Sequence, residues 1–460
     1  MIVVSHRGPF RFVRSEDGTF TARRGAGGVA GTLGPLLQET DSARLGRVQW
    51  IAAALSNDDV AASEAGMATH AGCDMQLLDL DPSLHRLHYD VISNGVLWFV
   101  LHEMFDRVRL PQFDLSFREA WDAYVAVNEA FAEVTAKAAD ERDIVLVQDY
   151  QLALVPGMLR QRRRDLRVVH FMHTPFCGAD GFRVLPIDVA RELCRSLAGG
   201  ATGFHTRRWA DNYVAATIDT LGDSALVTPP FAASLGVDRD ALAAVAERPE
   251  TRAAYDALEE RVGGRMVIAR SDRIEPSKNI LRGFAAFDRL LEARPGLRGR
   301  VIFAAMLYPS RQTQPEYVAY AREIEETVAA VNDRWGTRDW EPILLDQRDD
   351  YERSVAALQR YDVLLVNPIR DGLNLVAKEG PLLNTRDGLL CLSREAGAYD
   401  ELADGVIAVH PFDIEATAVA LDDALAVPLD ERVGRAARLR DLAAARTSRQ
   451  WLRDLIAHAG

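Results

Sequence analysis

The chain of 460 residues lacks the features that mark several large protein classes. Its four cysteines are scattered and form no C-x-x-C pair, so neither a disulfide framework nor a zinc site is indicated. No apolar run approaches the roughly 20 residues that a membrane-spanning helix needs. The first residues, MIVVSHRG, predict a strand and leave no room for a signal peptide, so we expect a cytoplasmic protein without a membrane partner.

An excess of positive charge is also missing. The 54 Lys and Arg residues against 67 Asp and Glu residues give a net charge of −13, which argues against broad binding to nucleic acid or to an anionic membrane. An anionic small-molecule substrate would therefore need a local basic cluster. With 48% hydrophobic and 26% charged residues the composition is that of an ordinary globular protein. The length predicts two or three domains, and whether the chain forms a homo-oligomer stays open.

Strand-like and helical patterns alternate along nearly the whole chain, which predicts an α/β fold with parallel sheets. The predicted strands are residues 2–5, 143–148, 167–172, 203–206, 265–271, 300–306, 341–346, 361–367, 388–393 and 405–410. The clearest predicted helices are residues 117–139, 280–293 and 316–335. A proline pair and small residues interrupt this alternation within residues 227–244. We therefore predict two doubly wound domains, 1–228 and 229–460, that face one another across a cleft.

The segment NPIRDGLNLVAKEG, residues 367–380, predicts a ligand site. An apolar run precedes it and helix-forming residues follow, so the chain should turn at Asp371 and Gly372. In an open parallel sheet such a turn lies at the carboxyl end of a strand, where ligands bind. The N–H groups of a helix that starts there favour anions or sugar oxygens. Taken alone, the segment equally fits an ordinary strand–helix turn with a solvated aspartate.

Two further segments are candidates for binding an anion. Arg273 and Lys278 follow the predicted strand 265–271, and they could converge on one phosphate group, although a solvated loop is the alternative. The glycine-rich segment 23–31 matches neither the dinucleotide nor the triphosphate loop motif, and alone it fits a flexible connection.

Single polar residues follow other predicted strands, namely Arg7, Asp149 and His173. His170 and His173 lie three residues apart, but no carboxylate or cysteine pattern accompanies them, so we predict no metal site. A hydrogen-bonded structural histidine is the alternative for His173. No G-x-S-x-G nucleophile motif occurs.

Taken in order, these residues resemble one family, the trehalose-6-phosphate synthases, which are retaining glycosyltransferases of family 20. The segments that carry the resemblance are SHRGP (5–9), GAGGVAG (25–31), YDVISNGVLW (89–98), VQDYQLALVP (147–156), FMHTPF (171–176), SDRIEPSKN (271–279), YPSR (308–311), RDGLNLVAKE (370–379) and AGAYDEL (397–402). The resemblance implies the GT-B architecture, with two Rossmann-like domains and a final helix that can return to the first domain.

The resemblance implies a nucleotide-sugar donor site without a cofactor or a metal ion. Arg273 and Lys278 would bind the diphosphate and stabilise it as it leaves, and Glu379 would hold the ribose hydroxyls. The carboxylate of Asp371 would hold hydroxyls of the donor sugar. The remaining donor contacts would be backbone groups, those of Gly372, Leu373, Asn374 and Leu375 on the sugar and those of Gly27 and Gly28 on the diphosphate.

The resemblance also implies an acceptor site. Asp149 and His173 would face the reacting sugars. The acceptor pocket would consist of Arg7, Tyr89, Trp98 and Arg311, with both arginines on the acceptor's 6-phosphate. The departures from the family pattern are Gln148 and Gln151 in place of His, Ala53 in place of the second Trp of a Trp-Phe-Gly-Trp segment that begins here with Trp50, and Cys177-Gly178 in place of Pro-Ser or Pro-Thr.

The sequence therefore predicts a retaining transferase that moves glucose from UDP- or GDP-glucose to glucose 6-phosphate and forms α,α-trehalose 6-phosphate. One alternative is a related transferase with another phosphorylated acceptor, such as glycerol 3-phosphate. Another is a pseudoglycosyltransferase that couples cyclitols, as in validoxylamine 7'-phosphate formation. A third, of a different class, is an inactive sugar-phosphate sensor, which loss of the diphosphate cations would have favoured. No residue pattern identifies the donor's base.

Overall fold

The computed structural model of the chain describes residues 1–24, 33, 48–70 and 73–459. Contacts divide it into two units, the first made of Met1–Ser234 with Ser448–Gly460 and the second of Leu235–Thr447. The predicted boundary at 228/229 lies a few residues before this division. Among the helices of the described residues, none is both long and apolar enough to cross a membrane.

The first unit contains an eight-stranded sheet and a two-stranded hairpin. Its strands are β1 Ile2–Val4, β2 Phe10–Arg14, β3 Phe20–Arg24, β4 Gln49–Ala53, β5 Thr69–His70, β6 Cys73–Leu78, β7 Ile144–Gln148, β8 Arg167–Met172, β9 Ala201–Phe204 and β10 Phe231–Ala232. The large sheet has the order β10-β9-β8-β7-β1-β4-β6-β5, and only β5 runs antiparallel to its neighbour. The order reverses between β1 and β7, so a ligand crevice is expected where these two strands end.

Helices cover this sheet and follow local capping rules. They are Asn57–Glu64, Pro82–Arg86, Trp98–His102, Leu115–Ala138, Val155–Arg162, Ala179–Phe182, Ile187–Ala198, Arg207–Leu221 and Ser448–Ala457, with a π-helical segment Leu87–Leu97 and 3₁₀ turns Tyr150–Leu152 and Ser224–Leu226. The carboxylate of Asp114 accepts from the backbone N–H of Phe117 at 3.0 Å and so caps the longest helix. Gly222, with φ +77°, ends the helix Arg207–Leu221.

The last helix of the chain completes the first unit. The ring of Trp451 is fully buried and meets the ring of Phe171 edge to face, with the centroids 5.2 Å apart. One residue beyond this helix, His458 stacks on Phe231 at 4.0 Å. The end of the chain therefore supports β8 and β10.

The second unit contains a six-stranded parallel sheet. Its strands are β11 Met266–Arg273, β12 Val301–Tyr308, β13 Ile343–Asp346, β14 Val363–Val366, β15 Leu389–Ser393 and β16 Ile407–Val409. Their order is β13-β12-β11-β14-β15-β16, the dinucleotide-binding order in which the direction of winding changes between the first and the fourth strand. The crevice of this unit is thus expected where β11 and β14 end. The prediction of an α/β, doubly wound fold is confirmed.

The helices of the second unit are Arg239–Ala246, Pro249–Val262, Ile280–Ala293, Pro315–Trp335, Tyr351–Arg360, Val376–Leu383, Tyr399–Leu402, Ile414–Ala426 and Leu429–Ala444, with 3₁₀ turns Pro276–Lys278, Pro295–Leu297 and Ala403–Gly405. Strands β11 and β14 are buried along nearly their whole length, which is why β14 is a continuous apolar run and β11 begins with one rather than with an alternating pattern.

Candidate active site

Two cations and a carboxylate meet where β11 and β14 end. Nζ of Lys278 lies 2.6 Å from Oδ2 of Asp371, and the two side chains are 12% and 17% exposed. Nη1 of Arg273 lies 3.1 Å from Oε1 of Glu275, whose side chain is 2% exposed while that of Arg273 is 46% exposed. The structure therefore brings Arg273, Lys278 and Asp371 to one edge of the sheet, as the sequence predicts.

Both cations keep their charge. The carboxylate of Glu275 raises the pKa of Arg273 above its already high ordinary value. Burial lowers the pKa of Lys278, but the carboxylates of Asp371 and Asp272 outweigh burial, so the net pKa lies above its ordinary value. An anion that enters this edge of the sheet would meet two protonated side chains.

The buried side chain of Arg270, which the sequence did not single out, holds residues at this edge of the sheet in place. Nε and Nη2 of Arg270 donate to Oδ2 of Asp272 at 3.0 and 2.9 Å, and Nη2 also donates to the carbonyl of Lys278 at 2.9 Å. Arg270 is fully buried, and burial raises the pKa of Asp272. The signal was present in the sequence, because two charged residues inside an otherwise apolar strand require partners.

The turn after β14 is organised by Asp371 itself. Its Oδ1 accepts from the backbone N–H of Leu373 at 3.3 Å, and its Oδ2 accepts from the side-chain amide of Asn374 at 3.1 Å. Asn374 has φ +76°, a conformation that asparagine tolerates better than most residues. In this structure the N–H of Leu373 is thus engaged by Asp371, so binding a sugar through it would require an exchange of partners.

Glu379 and Lys378 have different environments in the first turn of the helix Val376–Leu383. Glu379 is half-buried, whereas Lys378 is buried and its Nζ bonds both carboxylate oxygens of Glu401, at 2.9 and 3.0 Å, and the carbonyl of Leu235 at 2.9 Å. Lys378 is therefore a structural residue, although it lies beside a predicted ligand contact.

Arg311 follows β12 in a left-handed conformation, with φ +46°. Its Nη1 donates to the hydroxyl of the buried Tyr317, and its guanidinium carbon lies 5.2 Å from the centre of that ring. The neighbouring hydroxyl of Ser310 donates to Oε1 of Glu275 at 3.2 Å. The loop that carries Arg311 is thus tied to the carboxylate that holds Arg273.

In the first unit, Arg7 and Tyr89 lie together. The guanidinium carbon of Arg7 is 5.3 Å from the centre of the Tyr89 ring, and the ring of His6 stacks on Tyr89 at 4.3 Å. Trp98, by contrast, lies in the hydrophobic core, is 2% exposed and stacks on His102 at 4.2 Å. Arg7 is exposed and available to a ligand, while a contact from Trp98 would be limited to what little of the ring reaches the surface.

Asp149 and His173 also meet, at the ends of β7 and β8. Asp149 has φ +67°, which is unusual for a residue with a side chain and marks a constrained position. Its Oδ1 accepts from the backbone N–H of His173 at 3.1 Å. The ring of His173 lies 2.9 Å from Oε1 of Gln148 through Nε2 and 3.1 Å from Nε2 of His205 through Nδ1. The partner His205 was missed from sequence, because only the fold brings the end of β9 beside β8.

The remaining candidates are two glycines, Trp50 and Cys177. Gly27 and Gly28 lie outside the described residues. Trp50 is buried and donates through Nε1 to the hydroxyl of Ser5 at 2.8 Å. Burial raises the pKa of Cys177 to about 12, so its thiol stays protonated. Within the described ranges, no group of three or more His, Cys, Asp or Glu side chains could hold a metal ion.

Comparison with known proteins shows the family of the chain. The model of the family described as "Glycosyltransferase family 20" matches residues 1–459. The chain belongs to glycosyltransferase family 20. It is 30% identical to the alpha,alpha-trehalose-phosphate synthase (UDP-forming) of Schizosaccharomyces pombe, over 98% of this chain and 88% of that protein. It is 29% identical to the validamine 7-phosphate valienyltransferase of Streptomyces hygroscopicus subsp. jinggangensis, over 88% of this chain and 84% of that protein.

A solved structure is similar to this glycosyltransferase in both fold and sequence. The alpha,alpha-trehalose-phosphate synthase (UDP-forming) from Burkholderia xenovorans, in complex with glucose-6-phosphate, superposes with a TM-score of 0.84 and is 25% identical, covering 100% of this chain and 99% of that one. The family that the sequence motifs resemble is therefore confirmed.

Proposed function

We propose that this glycosyltransferase moves glucose from a nucleoside diphosphate, with UDP-glucose as the first choice, to glucose 6-phosphate and forms α,α-trehalose 6-phosphate. One observation carries the proposal, namely the pair of protonated side chains, Arg273 and Lys278, beside Asp371 at the carboxyl end of β11. The names of the relatives, which include UDP-forming synthases, support this choice of donor.

In the proposed reaction the C1–O bond to the diphosphate breaks and a bond from C1 to the acceptor's hydroxyl oxygen forms on the same face. The proton of that hydroxyl passes to the departing phosphate oxygen. Arg273 and Lys278 stabilise the negative charge that develops there, which fixed charges do without reorganisation at the moment of reaction. Asp371 leaves Lys278 and takes up hydroxyls of the donor sugar, and Glu379 holds the ribose.

On the acceptor side, we assign Arg7 and Arg311 to the 6-phosphate, because guanidinium groups form paired hydrogen bonds with phosphate oxygens. Tyr89, which already stacks near Arg7, would border the acceptor sugar. Asp149 and His173 would face the reacting sugars. Two roles stay predictions from the family resemblance. They are the diphosphate contact of Gly27 and Gly28 and the acceptor contact of Trp98.

We also propose that the reaction needs no metal ion. Two side-chain cations stand where the diphosphate would leave, and they would stabilise its negative charge in the role that a divalent cation could otherwise take.

The test is a screen of UDP-glucose and GDP-glucose against glucose 6-phosphate, glycerol 3-phosphate and glucose, each with and without EDTA, with NMR of the product. We expect α,α-trehalose 6-phosphate from glucose 6-phosphate, at the same rate in EDTA. Absence of transfer to every phosphorylated acceptor would refute the proposed function, and a strict requirement for Mg²⁺ or Mn²⁺ would refute metal independence.

A second candidate is the coupling of a cyclitol phosphate. It is favoured by the similarity to the valienyltransferase and by Ala53, a small buried residue where the family pattern has tryptophan. Activity with validamine 7-phosphate and an activated cyclitol, together with none on glucose 6-phosphate, would select this candidate.

A further inference from the structure

The side chain of Gln148 contacts the ring of His173. Gln148 is the last residue of β7, where it pairs with Phe171 of β8, and its side chain is 2% exposed. From there its Oε1 reaches Nε2 of His173, two residues beyond Phe171, at 2.9 Å. The adjacent residue, Asp149, binds the backbone N–H of the same histidine at 3.1 Å. Two consecutive residues thus hold His173 by its ring and by its backbone.

The hydrogen-bond partners of the His173 ring indicate where its proton lies. With Oε1 of Gln148 toward the ring, Nε2 of His173 carries the hydrogen and donates it, because an amide oxygen can only accept. Nδ1 is then a lone pair, and Nε2 of His205, 3.1 Å away, must donate to it. Both ring nitrogens of His173 are therefore hydrogen-bonded, one to Gln148 and the other to His205.

The surroundings of the ring favour the neutral form. The titratable groups that face it are His205 after β9, His170 on β8 and the carboxylate of Asp149, whose Oδ1 is bonded to the backbone N–H rather than to the ring. The ring of Trp451, from the last helix, covers it at 5.8 Å. Burial, followed by His205 and His170, lowers the pKa of His173 well below its ordinary value.

We infer that Gln148 is a positioning residue that locks His173 in one neutral tautomer with both ring nitrogens occupied, so that His173 neither takes nor gives a proton during transfer. The catalytic part of this inference rests on the proposed function. It also gives a reason for glutamine here, because a glutamine cannot ionise, whereas the histidine of the family pattern would add a third titratable ring next to His173 and His205.

The test combines ¹⁵N NMR of the histidine rings with kinetics on the full chain, and a His173→Gln variant assigns the signal of His173. We expect the wild-type ring to be neutral, with hydrogen on Nε2, from pH 5.5 to about pH 8, a window around the ordinary histidine pKa. In Gln148→Glu a carboxylate replaces the amide and stabilises the imidazolium, so His173 should become protonated at pH values where the wild type stays neutral.

The kinetic expectation separates positioning from folding. Gln148→Leu should free the ring to change tautomer and lower kcat by about 3- to 10-fold, the effect of one lost hydrogen bond, with little change in the KM of the donor. Gln148→Glu should add an ionisation to the pH profile of kcat that the wild type lacks. Gln151→Glu is the matched control, because Gln151 accepts from Asn128 and contacts the ring of His88 through its backbone carbonyl, which the substitution keeps, and it should leave the His173 signal unchanged.

Two results would overturn the inference. One is a wild-type His173 that is protonated at neutral pH or carries its hydrogen on Nδ1. The other is a Gln148→Leu variant in which the His173 signal and kcat both match the wild type. If the wild type proves inactive in the acceptor screen, the NMR measurement still decides the tautomer lock, and only the proposed function fails.

Discussion

Removal of the amine of Lys278 is the sharpest perturbation of the proposed donor site. In Lys278→Ala the carboxylate of Asp371 loses a partner at 2.6 Å, but it keeps the N–H of Leu373 and the amide of Asn374. Loss of one partner from a buried ion pair costs about 3–5 kcal/mol. Because Asp371 retains two donors and some solvent contact, we expect a smaller loss of stability, about 1–3 kcal/mol.

The loss of activity should be larger than this structural cost. If Lys278 stabilises the departing diphosphate, its removal should lower kcat by on the order of 10²–10³, as for other lost electrostatic contacts to a transition state. Arg273→Ala should have an effect of the same order, since its guanidinium is 46% exposed at the same edge. The assay is release of UDP at saturating substrates, paired with urea unfolding of the same variants.

Two control lysines separate catalysis from folding. Lys378→Met breaks a buried pair with Glu401 and should destabilise the second unit while the folded fraction keeps its turnover. Lys137→Ala removes a surface pair with Glu133 and should change neither quantity measurably. Near-normal turnover in both Lys278→Ala and Arg273→Ala, or a loss in Lys378→Met as large as in Lys278→Ala, would contradict the diphosphate assignment.

Two further predictions concern the acceptor and the dependence of stability on pH. Arg311→Ala should raise the KM for glucose 6-phosphate far more than the KM for the nucleotide sugar, because its guanidinium would bind the phosphate. Wild-type activity on glucose should be far lower than on glucose 6-phosphate. Equal wild-type activity on both acceptors, together with an unchanged KM in Arg311→Ala, would refute the phosphate contact. Burial lowers the pKa of His88 and of His170 to about 4, so the unfolded chain binds more protons than the folded chain between about pH 6.5 and pH 4. The free energy of unfolding should therefore fall as pH is lowered through that window, by up to ~3 kcal/mol for each ring, and His88→Gln should flatten the curve in denaturant titrations; a flat wild-type curve would contradict it.

Much of the second unit could be predicted from sequence because its strands are buried on both faces. Such strands are short continuous apolar runs, and all six were predicted close to their observed bounds, as for 265–271 against Met266–Arg273. Polar residues at or shortly after the end of such a strand lie at the ligand-binding edge of the sheet, which is why Arg273 and Asp371 could be singled out without coordinates.

The first unit was harder to predict because part of its structure has no simple period. The hairpin of β2 and β3 is largely exposed and contains many arginines, so it resembles a loop in sequence. The segment Leu87–Leu97 is π-helical, which shifts its buried residues off the spacing of an α-helix. The predicted strand 203–206 lies two residues after its observed position, Ala201–Phe204.

Side-chain partners that depend on three-dimensional proximity could not be predicted at all. His205 meets His173 only because β9 pairs with β8, and Arg270 supports Lys278 through a backbone carbonyl. For Trp98, no sequence pattern distinguishes a ring that borders a pocket from one that belongs to the core, because both are apolar positions on a helix.

The charges at the end of β11 explain how so acidic a chain could bind an anion. Three cations, Arg270, Arg273 and Lys278, stand against three carboxylates, Asp272, Glu275 and Asp371, so the edge is balanced while no donor is bound. A balanced cluster has little long-range attraction for arbitrary anions, which a net charge of −13 weakens further. A nucleotide sugar differs from simple phosphate because it has sugar hydroxyls as well as a diphosphate. The hydroxyls can bind Asp371 while the diphosphate binds Lys278. Under the proposed function, each partner of that ion pair gains a new contact as the pair separates, so recognition of the sugar and recognition of the diphosphate depend on one another.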